Sequence, residues 1–158
     1  MALHACQIDG GAKRGVIRQL TLAESKALIV ELVRPSLLIT DDDRDFRETL
    51  AGVFESRGFR TMLAADGQEA LEILQLEPVH LLLLDMHMPR LTGLETIRRV
   101  RQMQLILPCI LLSAALDRTI EAEARAAAAF SVHSKPIRLP DITNAVKAAL
   151  LQTYGWAG

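Results

Sequence analysis

His80-Leu81-Leu82-Leu83-Leu84-Asp85 sets four leucines side by side between a histidine and an aspartate. The run is too short for a typical helix and does not alternate polar with apolar residues. It fits a central strand of a parallel sheet, covered by side chains on both faces. Working outward, Ser36-Leu37-Leu38-Ile39-Thr40 upstream and Cys109 to Leu112 downstream read the same way, with further strand candidates at Phe59 to Ala64 and Phe130 to Ser134. Between them the apolar period changes. Phe46, Leu50, Val53 and Phe54 recur at i, i+4, i+7 and i+8, the stripe of a core-facing helix, and Gly58 is placed to close it. Ala70, Leu71 and Leu74 mark a second helix after the turn Asp66-Gly67, and Leu94, Ile97 and Val100 a third. Ile120, Ala124, Ala127 and Ala128 give an alanine-rich fourth face; Ile142, Val146, Ala149 and Leu150 give a fifth. Five β–α units in succession predict an α/β fold, an open parallel sheet with helices on both faces.

Composition agrees with one compact domain plus an appendage. Half of the 158 residues are hydrophobic, 23% are charged, and the net charge of −1 gives no reason to expect direct nucleic-acid binding. Cys6 and Cys109 are far apart, and Cys109 sits in an apolar run, so it reads as a buried, reduced thiol in a reducing cytoplasm. The start lacks a basic region followed by an apolar one, and Ala27 to Val33 is short and broken by Glu31, so no membrane insertion is expected.

In a sheet of this kind the functional cleft lies beyond the carboxyl ends of the strands. Asp41, Asp42 and Asp43 follow the first strand, Asp85 the third; Ser113 closes the fourth, and Lys135, followed by Pro136, closes the fifth. Clustered carboxylates repel unless a proton or cation intervenes, and Mg2+ is the natural partner of oxygen ligands that keep several waters. A hydroxyl and an ammonium suit the oxygens of a phosphoryl group instead. A site for both metal and phosphate points to phosphoryl transfer, with one acid as nucleophile forming an acyl phosphate.

Residues 36 to 152, about three quarters of the chain, resemble a receiver domain of bacterial two-component response regulators, the chemotaxis-regulator-like superfamily. The matching motifs are Leu38-Ile39-Thr40-Asp41-Asp42, Leu84-Asp85-Met86-His87-Met88-Pro89 with Gly93, Leu112-Ser113-Ala114, and Lys135-Pro136. Each alone is weak; in order, each at a strand end, they are specific. The resemblance implies a flavodoxin-like, doubly wound sheet of five strands in the order 2-1-3-4-5. It implies that Asp85 accepts a phosphoryl group from the phosphohistidine of a sensor histidine kinase or phosphotransfer protein. Asp41 and Asp42 would hold Mg2+, with Asp85 and the backbone carbonyl of His87 as further ligands. Ser113 would hydrogen-bond the phosphoryl oxygen, Lys135 would neutralise it, and Pro136 would be cis. His87 and Ala115 fall where the family tunes dephosphorylation. The chain would be a signalling phosphoacceptor and not an enzyme. Phosphorylation would draw Ser113 and Lys135 inward and switch the surface around the fourth and fifth helices, Asp117 to Ala128, for an output partner.

Two positions depart from the pattern. Val132 stands where the family commonly has an aromatic switch residue, with Phe130 two residues earlier, and Ala126 to Ala129 stand where a glycine often ends the fourth helix. The alanines are expected to lengthen the helix or alter the turn. Other readings fit less well. A pseudo-receiver, a phosphorylation-independent interaction module, is expected to lack part of the acidic site. A haloacid-dehalogenase phosphatase wants an acid at the position of His87, and a Rossmann dehydrogenase wants glycines where Asp41 to Asp43 stand.

The domain reading is therefore an N-terminal extension over 1–34, a receiver domain over 35–152 and a tail over 153–158. Residues 1–18 read as a poorly ordered leader. Thr21-Leu22-Ala23-Glu24 reads as a capping box opening a helix through Val33, which Arg34-Pro35 ends. That helix is expected to dock on the receiver or to mediate self-association, with a homodimer as one outcome.

Overall fold

The computed structural model describes residue 19, residues 21–24 and residues 34–157. The chain divides into two units, Met1–Val33 and Arg34–Gly158. In the first, Leu22 to Glu24 are helical. The Thr21 N–H donates to Glu24 Oε2 at 2.8 Å and the Glu24 N–H donates to Thr21 Oγ1 at 3.2 Å, the reciprocal pair of a capping box. The leader over 1–18 and the rest of the helix expected through Val33 lie outside the described residues.

The second unit runs β1 (Ser36–Thr40), α1 (Arg44–Glu55), β2 (Arg60–Ala64), α2 (Gly67–Leu76), β3 (Leu81–Asp85), α3 (Gly93–Gln102), β4 (Cys109–Ser113), α4 (Arg118–Ala126), β5 (Ser131–Ser134) and α5 (Leu139–Tyr154). All strands pair in parallel, as the sequence pattern predicts, in the order β2-β1-β3-β4-β5 that the resemblance implies. The alternation of side chains along each strand explains the unbroken apolar runs. Leu38, Leu82, Leu84 and Leu111 point into one layer with Ala70, Leu94, Ile97, Val100 and Ala124 from α2, α3 and α4. Leu37, Ile39, Leu81, Leu83, Ile110 and Leu112 point into the other, with Leu50 and Phe54 of α1 and Ile142, Val146 and Leu150 of α5. No strand residue from Leu81 to Leu84 meets solvent, because helices cover both faces. Cys109 lies wholly inside, and burial pushes its thiol up to about 12, so it stays protonated and unreactive.

Helix ends carry their own signals. Asp43, Asp66, Thr92 and Asp117 cap α1 to α4 through their side chains. Gly58 adopts φ +88°, its N–H donates to the Glu55 carbonyl (3.0 Å) and the Phe59 N–H to the Phe54 carbonyl (3.2 Å). This is a Schellman closure, and Phe59 seals it edge-on against Phe54 at 5.6 Å between ring centroids. The alanine run does not lengthen α4; the same closure recurs after it. The Ala128 N–H donates to the Arg125 carbonyl and the Ala129 N–H to the Ala124 carbonyl, both at 3.0 Å. Here the left-handed position is Ala128, φ +59°, without the freedom of glycine. Arg101 holds the turn by donating to the carbonyls of Ala128 (2.7 Å) and Leu107 (3.1 Å).

At the opposite edge of the strands from Asp85, the chain end folds back. The Ser36 N–H donates to His80 Nδ1 at 3.0 Å, and the Ser36 hydroxyl donates to the Pro78 carbonyl at 2.6 Å. Nδ1 is therefore an acceptor, which assigns the proton of the neutral ring to Nε2. Trp156 and Tyr154 pack edge-on against the imidazole at 4.7 and 5.8 Å, and Tyr154 Oη donates to the Ile106 carbonyl at 3.0 Å. α5 extends through Tyr154, and Gly155 (φ +73°) turns the chain so that Trp156 reaches the ring. Burial lowers the His80 pKa below 6.5, and burial also lowers that of His133.

Two measurements check these arguments. Ala128→Gly relieves the left-handed alanine and is expected to raise unfolding free energy by ~1 kcal/mol in urea titration; an unchanged midpoint would show that the turn is unstrained. For His80, the unfolded chain takes up a proton near its ordinary pKa while the folded ring stays neutral. The stability it contributes is thus present above that value and lost as pH falls through the depressed folded pKa. Unfolding free energy is expected to drop between about pH 7 and pH 5. His80→Asn, which keeps an acceptor near Nδ1 but cannot titrate, should flatten that slope, leaving the contribution of His133.

Candidate functional site

Strand pairing places the chemistry on one rim. Thr40 pairs with Leu84, Asp85 with Leu112, and Ser113 with Ser134. The next residue after β1 is Asp41 and the next after β5 is Lys135, so Asp41, Asp85, Ser113 and Lys135 stand at the ends of four adjacent strands. Carboxylate oxygens of Asp41, Asp42 and Asp85 all lie within 4.8 Å of one another. Asp41 and Asp85 are buried, and Asp42 is exposed. Three hard oxygen donors at that separation, one facing solvent, suit a divalent cation that retains waters.

Lys135 enters this cluster from β5. Its Nζ lies 2.5 Å from Asp41 Oδ2 and 3.0 Å from Asp85 Oδ1, and it sits 4.2 Å from the centroid of the Phe46 ring. Burial works against the charged ammonium, but the hydrogen bonds to Asp41 and Asp85 outweigh it and raise the Lys135 pKa. For Asp41, burial raises the pKa, and the adjacent Asp85 adds to it; Lys135 and the Asp43 N–H pull the other way without cancelling it. Asp41 is otherwise firmly placed. Its Oδ1 accepts the Asp43 N–H at 2.9 Å, and its backbone carbonyl accepts Arg47 Nη1 at 2.6 Å.

The loops around Asp85 are equally constrained. The Met86 N–H donates to the Leu112 carbonyl at 2.7 Å, and the Gly93 N–H returns to the Met86 carbonyl at 3.0 Å. A Cβ on Gly93 would lie 2.5 Å from the Asp85 carbonyl oxygen and 2.6 Å from Leu111 Cδ1, which is why the motif ends on glycine. In the same loop Arg90 takes φ +65° and ion-pairs with the buried Asp66, so the segment after Asp85 is tied to the cap of α2. His87, in this loop, is exposed.

Ser113 is fully buried, its Oγ accepts the Ala115 N–H at 3.2 Å, and its carbonyl accepts the Lys135 N–H at 2.8 Å. The Lys135–Pro136 peptide is cis, as the resemblance implies. Val132 packs against the α2–α3–α4 layer while Phe130 packs against the other, so Phe130 does not stand in for an aromatic at position 132.

With this geometry in hand, the family comparison is decisive. Residues 37–147 match the model of the response regulator receiver domain. The chain belongs to that family. Among curated receiver-containing relatives, Response regulator RR06 of Streptococcus pneumoniae serotype 2 is 34% identical over 119 residues, covering 75% of this chain and 54% of that protein. Sporulation initiation phosphotransferase F of Bacillus subtilis is 31% identical over 119 residues, covering 75% of this chain and 96% of that one. Two solved structures carry the same fold. The chemotaxis protein CheY4 of Vibrio cholerae has TM-score 0.72 and 24% identity, covering 75% of this chain and all of that one. The receiver domain of Francisella response regulator 1452 has TM-score 0.72 and 26% identity, covering 76% and 99%. The chain spans about half the length of RR06 and of the mycobacterial MprA regulators it also matches.

Asp41, Asp85, Ser113 and Lys135 lie at the strand ends expected from the sequence, whereas Phe46, legible there only as one position of a core stripe, is brought beside Lys135 by the fold. A prediction follows from the crowding at Gly93. Gly93→Ala must shift both the Asp85 carbonyl and the Leu111 side chain away from the new Cβ, and is expected to cost about 1–3 kcal/mol in urea unfolding; a change well under 1 kcal/mol would mean the loop yields freely.

Proposed function

We propose that this receiver domain is a phosphorelay switch in which Asp85 takes a phosphoryl group from the phosphohistidine of a sensor histidine kinase or phosphotransfer protein. The observation that carries the reading is the convergence of Lys135 Nζ, Asp41 and Asp85 at 2.5 and 3.0 Å beside the exposed Asp42. A carboxylate oxygen of Asp85 attacks phosphorus, the P–N bond to the donor imidazole breaks, and the bonding pair leaves with the imidazole, which regains a proton. The product is an acyl phosphate on Asp85.

Asp41, Asp42, Asp85 and the His87 carbonyl would hold Mg2+, whose charge offsets that of the transferring group. Lys135 then has a double task. Before transfer it neutralises Asp41 and Asp85, which would otherwise repel; after transfer it pairs with the phosphoryl oxygens. The Ser113 hydroxyl donates to another of those oxygens. To do so both residues move inward and carry the loops after β4 and β5, with Pro136 and Val132, changing the surface around α4 and α5 that an output partner reads. Val132, having no ring to swing, alters that surface by packing alone. The protein acts as a phosphoacceptor and signalling domain in the cytoplasm, not as a turnover enzyme. Among the described residues no helix is long and apolar enough to cross a membrane. The domain reading is an extension over 1–34, a receiver over 35–152 and a tail over 153–158, with self-association through the extension.

Incubation with Mg2+ and acetyl phosphate, read by intact mass, is expected to add one phosphoryl group to the wild type and none to Asp85→Asn. Chelating the metal should abolish the addition. Failure of the wild type to gain mass, with beryllofluoride also failing to bind, would leave only a phosphorylation-independent module.

A further inference from the structure

The ammonium of Lys135 has three neighbours of opposite character. Two are the carboxylates of Asp41 and Asp85; the third is the face of the Phe46 ring, 4.2 Å away at its centroid. An aromatic face carries negative charge density and attracts a cation, more so where water is excluded. Here water is scarce: the Lys135 side chain is 19% exposed, and Phe46 is half-buried against the α1–α5 layer.

The backbone that carries the ring is tied to the carboxylate cluster through the cap of α1. The Phe46 N–H donates to Asp43 Oδ1 at 3.2 Å, where Asp43 caps α1, and the Asp43 N–H donates to Asp41 Oδ1 at 2.9 Å. The backbone of Phe46 is thus linked by two N–H to carboxylate bonds to Asp41, one of the acids of the cluster. The three neighbours also differ in what can compete for them. A divalent cation entering the cluster claims oxygens of Asp41 and Asp85, but it has no use for a hydrocarbon face. Without the ring, Lys135 would lose both of its partners to the metal just before the phosphoryl group arrives.

We infer that Phe46 is a positioning residue for Lys135: its ring face keeps the ammonium beside Asp85 while the carboxylates turn to metal. The inference rests on the phosphoacceptor reading and adds to it a residue that never touches the phosphoryl group. Leucine would fill much of the same volume yet offer nothing to a cation. Tryptophan would offer more, and a fluorinated phenylalanine keeps the shape of the ring while draining charge from its face.

The test has two arms on the full chain. In metal-free protein, NMR of the Lys135 ε-methylene should show ring-current displacement in the wild type that disappears in Phe46→Leu. In saturating Mg2+ with acetyl phosphate, Phe46→Leu is expected to phosphorylate roughly fivefold more slowly, Phe46→Trp at close to the wild-type rate, and the fluorinated protein in between. Mg2+ affinity, read by titration of the same spectra, should stay within about twofold across the series, since no ligand is altered. Thermal melts accompany each variant; if Phe46→Leu is poorly folded, the fluorinated protein carries the comparison alone. A wild type that takes no phosphoryl group overturns the phosphoacceptor reading, and the rate half of this inference with it. A wild type that is phosphorylated while Phe46→Leu or the fluorinated protein keeps pace overturns this inference by itself. Unmoved Lys135 signals in Phe46→Leu also overturn it, whatever the rates.

Discussion

One half-buried ammonium keeps two buried carboxylates together, and much of the molecule is arranged around that fact. Asp41 and Asp85 belong to the neighbouring strands β1 and β3, and both are hidden from solvent. Two such anions at hydrogen-bonding distance from a common point would repel each other and be driven toward water. Lys135 opposes this by reaching in from beyond β5, ninety-four residues along the chain from Asp41. The strand order makes this contact available: β1 and β3 are central, β4 and β5 follow on one side, and the Lys135 side chain, rooted just after β5, reaches Asp85 and Asp41 at the ends of β3 and β1. Remove the sheet order and the three charges never meet.

The same geometry sets a tightly packed core beneath a rim held by polar contacts. Leu81 to Leu84 are locked between two helical layers, so the base of Asp85 cannot move far without disturbing both. Its surroundings are looser in kind. Lys135 is held by electrostatic contacts that a new charge can redirect, and Ser113 contributes an oxygen that accepts only one backbone N–H at 3.2 Å. A rigid floor thus lies beneath polar groups whose contacts are electrostatic.

How much of this could be read from residue order depends on the range of each signal. Leu81 to Leu84 ending in Asp85, and Ser36 to Thr40 ending in Asp41, reveal strand, burial and site together, because apolar period and charge change at the same residue. Gly58 was legible as a helix closure for the same reason: φ above zero has a residue-level signature. Ala128 had none. It occupies the equivalent left-handed place after α4, and only the paired bonds to Ala124 and Arg125 identify it. Phe46 was legible as apolar and helical, but its nearness to Lys135 is a tertiary fact with no sequence period. His80 and Trp156 were opaque for the same cause, since 76 residues separate two rings that lie 4.7 Å apart. Asp42 and His87 show the converse, being placed by motif alone at positions whose ligand roles belong to the proposed function.

That far-end aromatic contact has an optical consequence. Trp156 is the single tryptophan of the chain, and it rests on His80 at the start of β3, whereas Asp85 closes that strand, roughly 16 Å away at strand rise. Indole emission therefore originates at the end of the sheet remote from the charged cluster. An ion or phosphoryl group at the cluster cannot quench it by contact. Any change in emission on loading the site must be transmitted along the strand or through α5, which makes the native fluorophore a gauge of how far a local charge is felt through the fold.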